Sequence, residues 1–240
     1  MMMHSKSTPD INSIFQSKLF TTGIVLVLAI IARLIYYSMD KGSPLFLFPI
    51  IDETEFLKIG NHIAENGAFY PYHFLHPPLY SYMLGILLSI GFSLKGILIF
   101  QFFLGISGCV ILYLSLSKIH HTAALISALI WAIYPVELFI ETKFLSENLY
   151  IFLSLSLAYT LIVMNKSWTQ LILSAAITGL LIITKTQFLL FFVAWLLILI
   201  FRFRESLKRV LAYSSIDLLL PFLAALRNFV NTGRHFIFMT

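Results

Sequence analysis

Long apolar segments separated by short polar segments make up most of this chain, and they recur from residue 19 onward. A helix needs roughly 20 apolar residues to cross a hydrocarbon core about 30 Å thick. Backbone groups inside lipid must form their hydrogen bonds within their own segment, so such a pattern predicts transmembrane helices. We therefore predict an all-α fold, a polytopic transmembrane helix bundle with about seven spans.

The predicted spans form a single transmembrane domain over residues 1–240. The first span covers residues 19–39, a large outer loop with short juxtamembrane helices covers 40–95, and the remaining spans lie within 96–226. Because the apolar run 169–201 is too long for one helix and carries Lys185 at its middle, we divide it into two spans. The other later spans are predicted at 96–117, 122–140, 147–164 and 210–226.

The short apolar segment 79–92 decides the orientation of every later span. It is short for a crossing, so it is expected either to lie on the membrane or to dip into it. The basic cluster RFRESLKR at 202–209 then shares one face with the N-terminus, and most carboxylates share the other. Since basic loops stay in the cytoplasm, we predict a cytoplasmic N-terminus and acidic loops on the periplasmic side of a bacterial inner membrane.

Composition agrees with a membrane protein, because 59% of the residues are hydrophobic and only 11% are charged. A soluble domain is nearer one quarter charged. The net charge of +5 comes largely from the short loops, where it sets topology, and therefore predicts no nucleic-acid partner. The one cysteine, Cys109, lies in an apolar run and has no partner for an intrachain disulfide.

The polar interval 51–85 carries most of the candidate chemistry. Asp52 and Glu53 follow an apolar run, where two carboxylates supply a general base, a cation ligand or simply solvated loop charge. His76 precedes two prolines that fix its backbone. Glu147 lies where the chain re-enters the membrane, a position that is costly unless the carboxylate is paired, binds a metal or faces water. It is also a favourable acid for a helix N-terminus.

Two other features of the spans leave alternatives open. Arg33 lies toward the far end of the first span, where it either snorkels to the interface or binds an anionic head group. Pro221 lies inside the last predicted span and is expected to kink it.

The order of several short motifs resembles that of GT-C membrane glycosyltransferases. Asp-Glu at 52–53, Asn-Gly at 66–67 and His-Pro-Pro-Leu at 76–79 resemble their first outer loop, as in protein O-mannosyltransferases and bacterial aminoarabinose-transferase-like enzymes. The downstream motifs agree in order: Tyr-Pro at 134–135, LSENL at 145–149, Gly-Leu-Leu-x-x-Thr-Lys at 179–185, and Arg227-Asn228 followed by Gly233.

The resemblance implies inverting transfer of a sugar from a polyprenyl-phosphate-linked donor to an extracytoplasmic hydroxyl of a protein, glycolipid or polysaccharide. It gives Asp52 the role of general base and makes Glu53, His76, Glu147 and Arg227 substrate-binding residues, with His76 and Arg227 near the phosphate. An alkyl phosphate leaves as an anion, so positive charge must stabilise it. A divalent cation, Mg or Mn, held by Asp52 and Glu147 is the implied cofactor.

The chain also departs from the family pattern. Phe56 stands where a tyrosine is common, and the resemblance covers what is expected to be the N-terminal part of a longer architecture. Two alternative functions follow. One is a transporter or flippase whose pathway is lined by Arg33, Lys185 and Asp217, and the other is an inactive truncated remnant of a glycosyltransferase.

Overall fold

A computed structural model describes residues 11–43, 48–72, 74–197, 200 and 206–232, with the backbone alone for 11–17 and 232. Two features of the sequence analysis, the basic residues at 202–204 and Gly233, lie outside the described residues.

The all-α prediction is confirmed, since the described residues form ten helices and no strand. The helices are α1 (Ile11–Asp40), α2 (Asp52–Asn66), α3 (Leu79–Ser89), α4 (Leu94–Leu116), α5 (His121–Ala132), α6 (Pro135–Glu141), α7 (Ser146–Val163), α8 (Trp168–Ile182), α9 (Phe188–Leu197) and α10 (Leu207–Thr232).

Residues with known preferences for helix ends fix several of these boundaries. Helix α2 has three carboxylates in its first turn, where the helix dipole favours negative charge, and it stops at Gly67 with φ +85°. Ser93 caps α4 by accepting a hydrogen bond from the Gly96 N–H, at 3.2 Å. Ser167 caps α8 in the same way.

Fewer helices qualify as membrane spans than the sequence predicts. Four described helices are long and apolar enough, namely Lys18–Asp40, Leu94–Leu116, Ser146–Val163 and Leu207–Asn231. A fifth span results if α5 and α6 are counted together, although they bend by 53° at their junction. Helices α8 and α9 are apolar but shorter, so the count of seven is not confirmed.

The span predicted at 122–140 is broken because Pro135 begins α6. Proline has no backbone N–H and clashes with the preceding turn, so a helix before it ends and a new one starts with proline in its first turn. Pro221, by contrast, lies inside the continuous helix α10.

Helices α2 and α3 pack tightly on each other at one end of the bundle. A Cβ on Gly60 would lie 2.9 Å from the Cβ of Leu84, and one on Gly85 would lie 2.7 Å from the Cβ of Ile63. Only glycine therefore allows this close approach of the two helices. Helix α3 has 11 residues, about 16 Å of helix, and its N-terminal Tyr80 bonds to Gln101 in the second turn of α4. Helix α3 is therefore shorter than the roughly 20 residues that a crossing helix needs.

The ends of several helices and the segments that connect them meet beside α2. Asp40 at the end of α1 accepts a hydrogen bond from Thr142, which precedes α7. The N–H of Leu79 donates to the carbonyl of Ile183 after α8, and Asn231 near the end of α10 donates to the carbonyl of Tyr70. We call this the α2 end of the bundle. The start of α8 and the start of α10 lie at the opposite end.

This arrangement predicts a labelling pattern for single cysteines in a Cys109→Ser background. Asn61 and Gln187 are exposed near the α2 end, whereas Asn165 is exposed at the opposite end. A membrane-impermeant maleimide added to intact cells is expected to label cysteines at 61 and 187 alike, and to label a cysteine at 165 only after permeabilisation. Labelling of 61 and 187 from different sides would contradict the shared end.

Arg33 neither snorkels nor faces the head groups, because it is only 2% exposed. Its guanidinium forms a buried ion pair with Glu141 and also donates to the carbonyl of Ala29, at 3.1 Å. The pair has room because residue 105 of α4 is glycine. A Cβ on Gly105 would lie only 2.7 Å from the Arg33 Nη2 atom. Both interpretations of Arg33 drawn from the sequence are therefore wrong, and its pair instead joins α1 to α6.

Candidate active site

Asp52 is the first residue of α2, and its side chain is 48% exposed. Its Oδ1 atom lies 3.6 Å from Nε2 of His76, the residue aimed by the two prolines that follow it. The buried ring of Phe56 packs on His76, with 5.2 Å between the ring centroids, so the position that departs from the family pattern supports this histidine. The structure thus brings together two of the predicted site residues, and the carboxylate remains accessible to solvent.

The backbone immediately before Asp52 is strained. Ile51 has φ +48°, a left-handed conformation that β-branched residues rarely adopt, and its carbonyl accepts a 2.6 Å hydrogen bond from Thr54 Oγ1. Such strain costs on the order of 1–3 kcal/mol and tends to occur at functional sites. It marks the start of α2 as a position held by the surrounding structure.

Glu53 points the other way and is only 6% exposed. Its Oε2 atom accepts a hydrogen bond from the backbone N–H of Phe144, at 3.0 Å, in the segment between α6 and α7. This bond fixes α2 to the segment that leads to Glu147. The predicted contact of Glu53 with substrate is not tested, but its observed partner is backbone.

Glu147 lies in the first turn of α7 and pairs with Lys185, with 2.6 Å between Oε1 and Nζ. Both side chains are partly exposed, at 38% and 29%. Its second oxygen, Oε2, is buried without a hydrogen-bond partner within the described part of the chain. The sequence indicated that a carboxylate here is costly unless it is paired, binds a metal or faces water. It did not indicate Lys185 as the partner, because that residue lies 38 positions away.

Gln101 is the residue that the sequence analysis missed. It is fully buried in α4, and its Nε2 donates to the carbonyls of Glu141 and Lys143, both at 2.8 Å. Its Oε1 accepts from the Tyr80 hydroxyl at 2.5 Å, and its backbone carbonyl accepts from Asn148 at 3.1 Å. A lone glutamine in an apolar span was the available signal, since buried polar groups in lipid are costly unless bonded.

We expect Gln101→Leu to destabilise the fold by about 2–4 kcal/mol, because two carbonyls and the Tyr80 hydroxyl lose a partner at once. The free energy of unfolding, measured by SDS titration in detergent micelles, checks this. Leu98→Ile, one turn earlier on the same helix, keeps the apolar volume and is expected to cost less than about 1.5 kcal/mol. Equal losses for the two variants would contradict the assigned network.

Arg227 lies near the end of α10 against the segment that joins α2 to α3. Its Cζ atom is 4.3 Å from the centre of the Phe74 ring, and its Nη1 donates to Asn228 Oδ1 at 2.7 Å. Nε and Nη2 are buried without a hydrogen-bond partner among the described residues. The guanidinium of Arg227 therefore has unused hydrogen-bond donors at the α2 end. Burial and the nearby carboxylate of Glu55 raise the pKa of the adjacent Tyr70, so the Tyr70 hydroxyl stays protonated.

The comparison with known families decides the class of this membrane protein. The model of the dolichyl-phosphate-mannose-protein mannosyltransferase family matches residues 75–226, which is more than half of the chain. The chain belongs to this family. No curated protein and no solved structure matches it. The predicted GT-C resemblance is confirmed, and the long apolar helices agree with a multi-pass membrane protein.

The mannosyltransferase match covers only part of the candidate site. It includes His76, Glu147 and Gln101, whereas Asp52 and Glu53 precede it and Arg227 follows its last residue. The family assignment therefore rests on the later helices. The roles of the residues outside the match remain predictions, supported by their geometry alone.

The five predicted site residues all lie at the α2 end, but only Asp52 and His76 are shown in direct contact. Glu53 links their helix to the segment before Glu147, and Tyr80 packs on Phe56 with 5.0 Å between ring centroids. Arg227 reaches the same region through Phe74, two residues before His76. The candidate site is therefore composite: its predicted residues lie on α2, in the segment before α3, on α7 and on α10. Lys185, the partner of Glu147, lies in the segment after α8.

The side chains present do not form a closed metal site. No group of three histidine, cysteine, aspartate or glutamate side chains suited to a metal ion occurs in the described ranges. The carboxylate of Glu147 pairs with the ammonium group of Lys185, which lies where a metal ion bound to the same oxygen would lie. We derive no step through a metal ion, and the divalent-cation requirement stays a prediction to be checked by EDTA treatment.

Proposed function

We propose that this chain transfers a sugar from a polyprenyl-phosphate-linked donor to an acceptor hydroxyl at the α2 end, with inversion at the sugar carbon. The family match supports glycosyl transfer in general. The observation that carries the finer proposal is the half-exposed carboxylate of Asp52 at the start of α2, within 3.6 Å of His76. A general base must reach the substrate, and among the predicted carboxylates Asp52 is the most exposed.

The proposed reaction is a single displacement. Asp52 removes the proton from the acceptor hydroxyl, whose oxygen then attacks the anomeric carbon as the bond from that carbon to the phosphate oxygen breaks. The electron pair of that bond leaves with the lipid phosphate, so negative charge develops there. Attack from the face opposite the leaving group inverts the configuration of the carbon.

The leaving phosphate needs positive charge, and the α2 end supplies two groups with that character. Arg227 has two buried nitrogens with unused donors, and Lys185 carries an ammonium group beside Glu147. Positively charged groups already in place stabilise developing charge without reorganising during the reaction. We assign Arg227 to the phosphate and Glu147 to substrate binding through its pair with Lys185. His76, 3.6 Å from Asp52, is assigned to orienting that carboxylate, because the general base and the leaving phosphate lie on opposite faces of the sugar.

The predicted topology determines on which side of the membrane the acceptor lies. With the α2 end on the periplasmic face of a bacterial inner membrane, the acceptor is an extracytoplasmic protein, glycolipid or polysaccharide. Transport is less well supported, because two of the three residues of the predicted pathway, Arg33 and Lys185, are each paired with a glutamate. The following experiment distinguishes an active transferase from a catalytically inactive remnant.

Reconstitution of the full chain in proteoliposomes tests this function. Dolichyl-phosphate-mannose is offered as donor beside GDP-mannose, with a membrane extract as the source of acceptors. We expect mannose transfer and release of dolichyl phosphate from the lipid donor alone, with inverted configuration in the product. Transfer from the nucleotide sugar, or retention of configuration, would contradict the mechanism, and an absence of transfer would favour the remnant.

Arg227→Met tests the phosphate assignment. Hydrogen bonds to a charged group contribute about 1.5–3 kcal/mol, so loss of this guanidinium is expected to raise the KM for the lipid donor about 10- to 100-fold. Lys58→Met provides a matched control, since it removes an exposed cation from α2 at the same end of the bundle. An equal KM change in both variants would show that general surface charge, rather than Arg227, attracts the donor.

A further inference from the structure

A cavity of about 280 Å³ opens at the end of the bundle opposite the candidate active site. Helices α7, α8, α9 and α10 all contribute to it, and its wall is mostly apolar, with Leu161, Leu171, Trp195, Val210 and Tyr213 among the lining side chains. The predicted chemistry does not use this cavity. Leu161 lies 14 residues after Glu147 on the same helix, which places the two about 20 Å apart.

Positive charge lies at the mouth of this cavity. Lys166 and Arg209 line it, and its described lining residues include no carboxylate. Trp168 is half exposed beside them, with Lys208 Nζ 5.9 Å and Arg209 Cζ 5.8 Å from the centre of its ring. The Arg209 side chain also donates to the carbonyl of Ser167, at 3.3 Å, and this bond fixes it between α8 and α10.

An apolar interior with a cationic mouth matches one class of ligand. A soluble phosphate would bind to the cations but would leave the apolar wall without a contact. A neutral lipid would contact the wall but would form no ionic interaction with the cations. Basic pockets between transmembrane helices on the cytoplasmic side bind anionic lipid head groups. Tryptophan beside such a pocket suits the membrane interface, where an amphipathic ring lies at the level of the head groups.

We propose that this cavity binds an anionic phospholipid of the membrane leaflet opposite the candidate active site. An acyl chain lies against the wall formed by Leu161, Leu171 and Trp195, and the phosphate contacts Lys166 and Arg209. Gln170 and Ser174 also line the cavity, and their side chains donate to backbone carbonyls of α7, of Met164 and of α8. This site is separate from sugar transfer, and its occupant is structural lipid rather than donor.

Quenching of tryptophan fluorescence by brominated lipid tests the proposal on the full chain reconstituted in phosphatidylcholine vesicles. Trp131→Phe and Trp168→Phe leave Trp195 as the one emitter, since the chain has three tryptophans. Brominated phosphatidylglycerol is expected to quench Trp195 more strongly than brominated phosphatidylcholine at the same mole fraction. Juxtamembrane cations favour anionic lipid about fivefold each, so Lys166→Gln/Arg209→Gln should lose most of this preference.

The matched control is Lys18→Gln/Lys118→Gln, which removes the same charge from the same end of the bundle at positions that do not line the cavity. The control is expected to keep the preference for phosphatidylglycerol. If the double variant fails to fold, Lys166→Gln alone provides the test, because this residue is exposed and lies outside the helices. The preference of this single variant for phosphatidylglycerol should fall about fivefold.

Three results would overturn the proposal. The first is equal quenching of Trp195 by the two brominated lipids in the starting protein. The second is an equal loss of preference in the cavity variant and the control, which would assign the effect to surface charge in general. The third is release of brominated phosphatidylglycerol by added inorganic phosphate, which would make this a phosphate site rather than a lipid site. None of these depends on sugar transfer.

Discussion

Asp52→Asn is expected to lower the rate of sugar transfer about 10²- to 10⁴-fold, the range contributed by a general base. Asparagine has nearly the same shape but accepts no proton at neutral pH. The side chain is half exposed and has His76 as its described ionic contact, so the fold should lose little. The measurement is the initial rate of dolichyl phosphate release in proteoliposomes, normalised to the amount of inserted protein.

Glu65→Gln is the matched control for that variant. It makes the same chemical change at an exposed position near the other end of α2. We expect it to keep the transfer rate and to elute from a sizing column like the starting protein. Transfer by Asp52→Asn at the unaltered rate would remove Asp52 from its proposed role, while the family assignment, which rests on residues 75–226, would stand.

Glu141→Gln is expected to be the most destabilising single change, costing about 3–5 kcal/mol. It leaves the guanidinium of Arg33 buried and charged against a neutral partner, and breaking one side of a buried pair typically costs this much. Within lipid, water cannot replace the lost carboxylate. Unfolding by SDS in detergent micelles gives the free energy directly, and a lower yield of inserted protein should accompany it.

The double variant Arg33→Met/Glu141→Gln separates the charge from the packing. Removing both charges leaves no uncompensated cation, so it is expected to recover at least half of the loss in Glu141→Gln. Glu137 is also buried beside this pair, and Glu137→Gln alone leaves the Arg33–Glu141 contact in place, so it should cost less. A double variant as unstable as the sum of its single variants would contradict the direct pairing.

The connection between the two buried networks explains how the candidate site is held. Glu141 ends α6 and meets Arg33 through its side chain, while its carbonyl accepts from Gln101. The next residues bind Asp40 and Glu53, and the chain then reaches Glu147. A change at Arg33 is therefore expected to disturb the position of Glu147, although Arg33 itself contacts no proposed substrate.

The sequence by itself determined the class of fold and the family. Long apolar runs require helices in lipid, whatever their partners, and the order of short motifs indicated a GT-C glycosyltransferase before any contact was known. The sequence also indicated that Glu147 is costly at the edge of a span unless it is paired, binds a metal or faces water. These inferences depend on local composition and spacing, which hold for any arrangement of the helices.

Only the tertiary structure decided which groups meet. Glu147 and Lys185 are 38 residues apart, Arg33 and Glu141 are 108 apart, and neither pairing follows from hydropathy. The count of seven spans is not confirmed, because Pro135 divides one apolar run and the described parts of α8 and α9 are short. The importance of Gln101 became evident only from its partners, which lie on three other helices and in the segment between α6 and α7. Pairing energies depend on distances across the bundle, and periodicity along one chain contains no information about those distances.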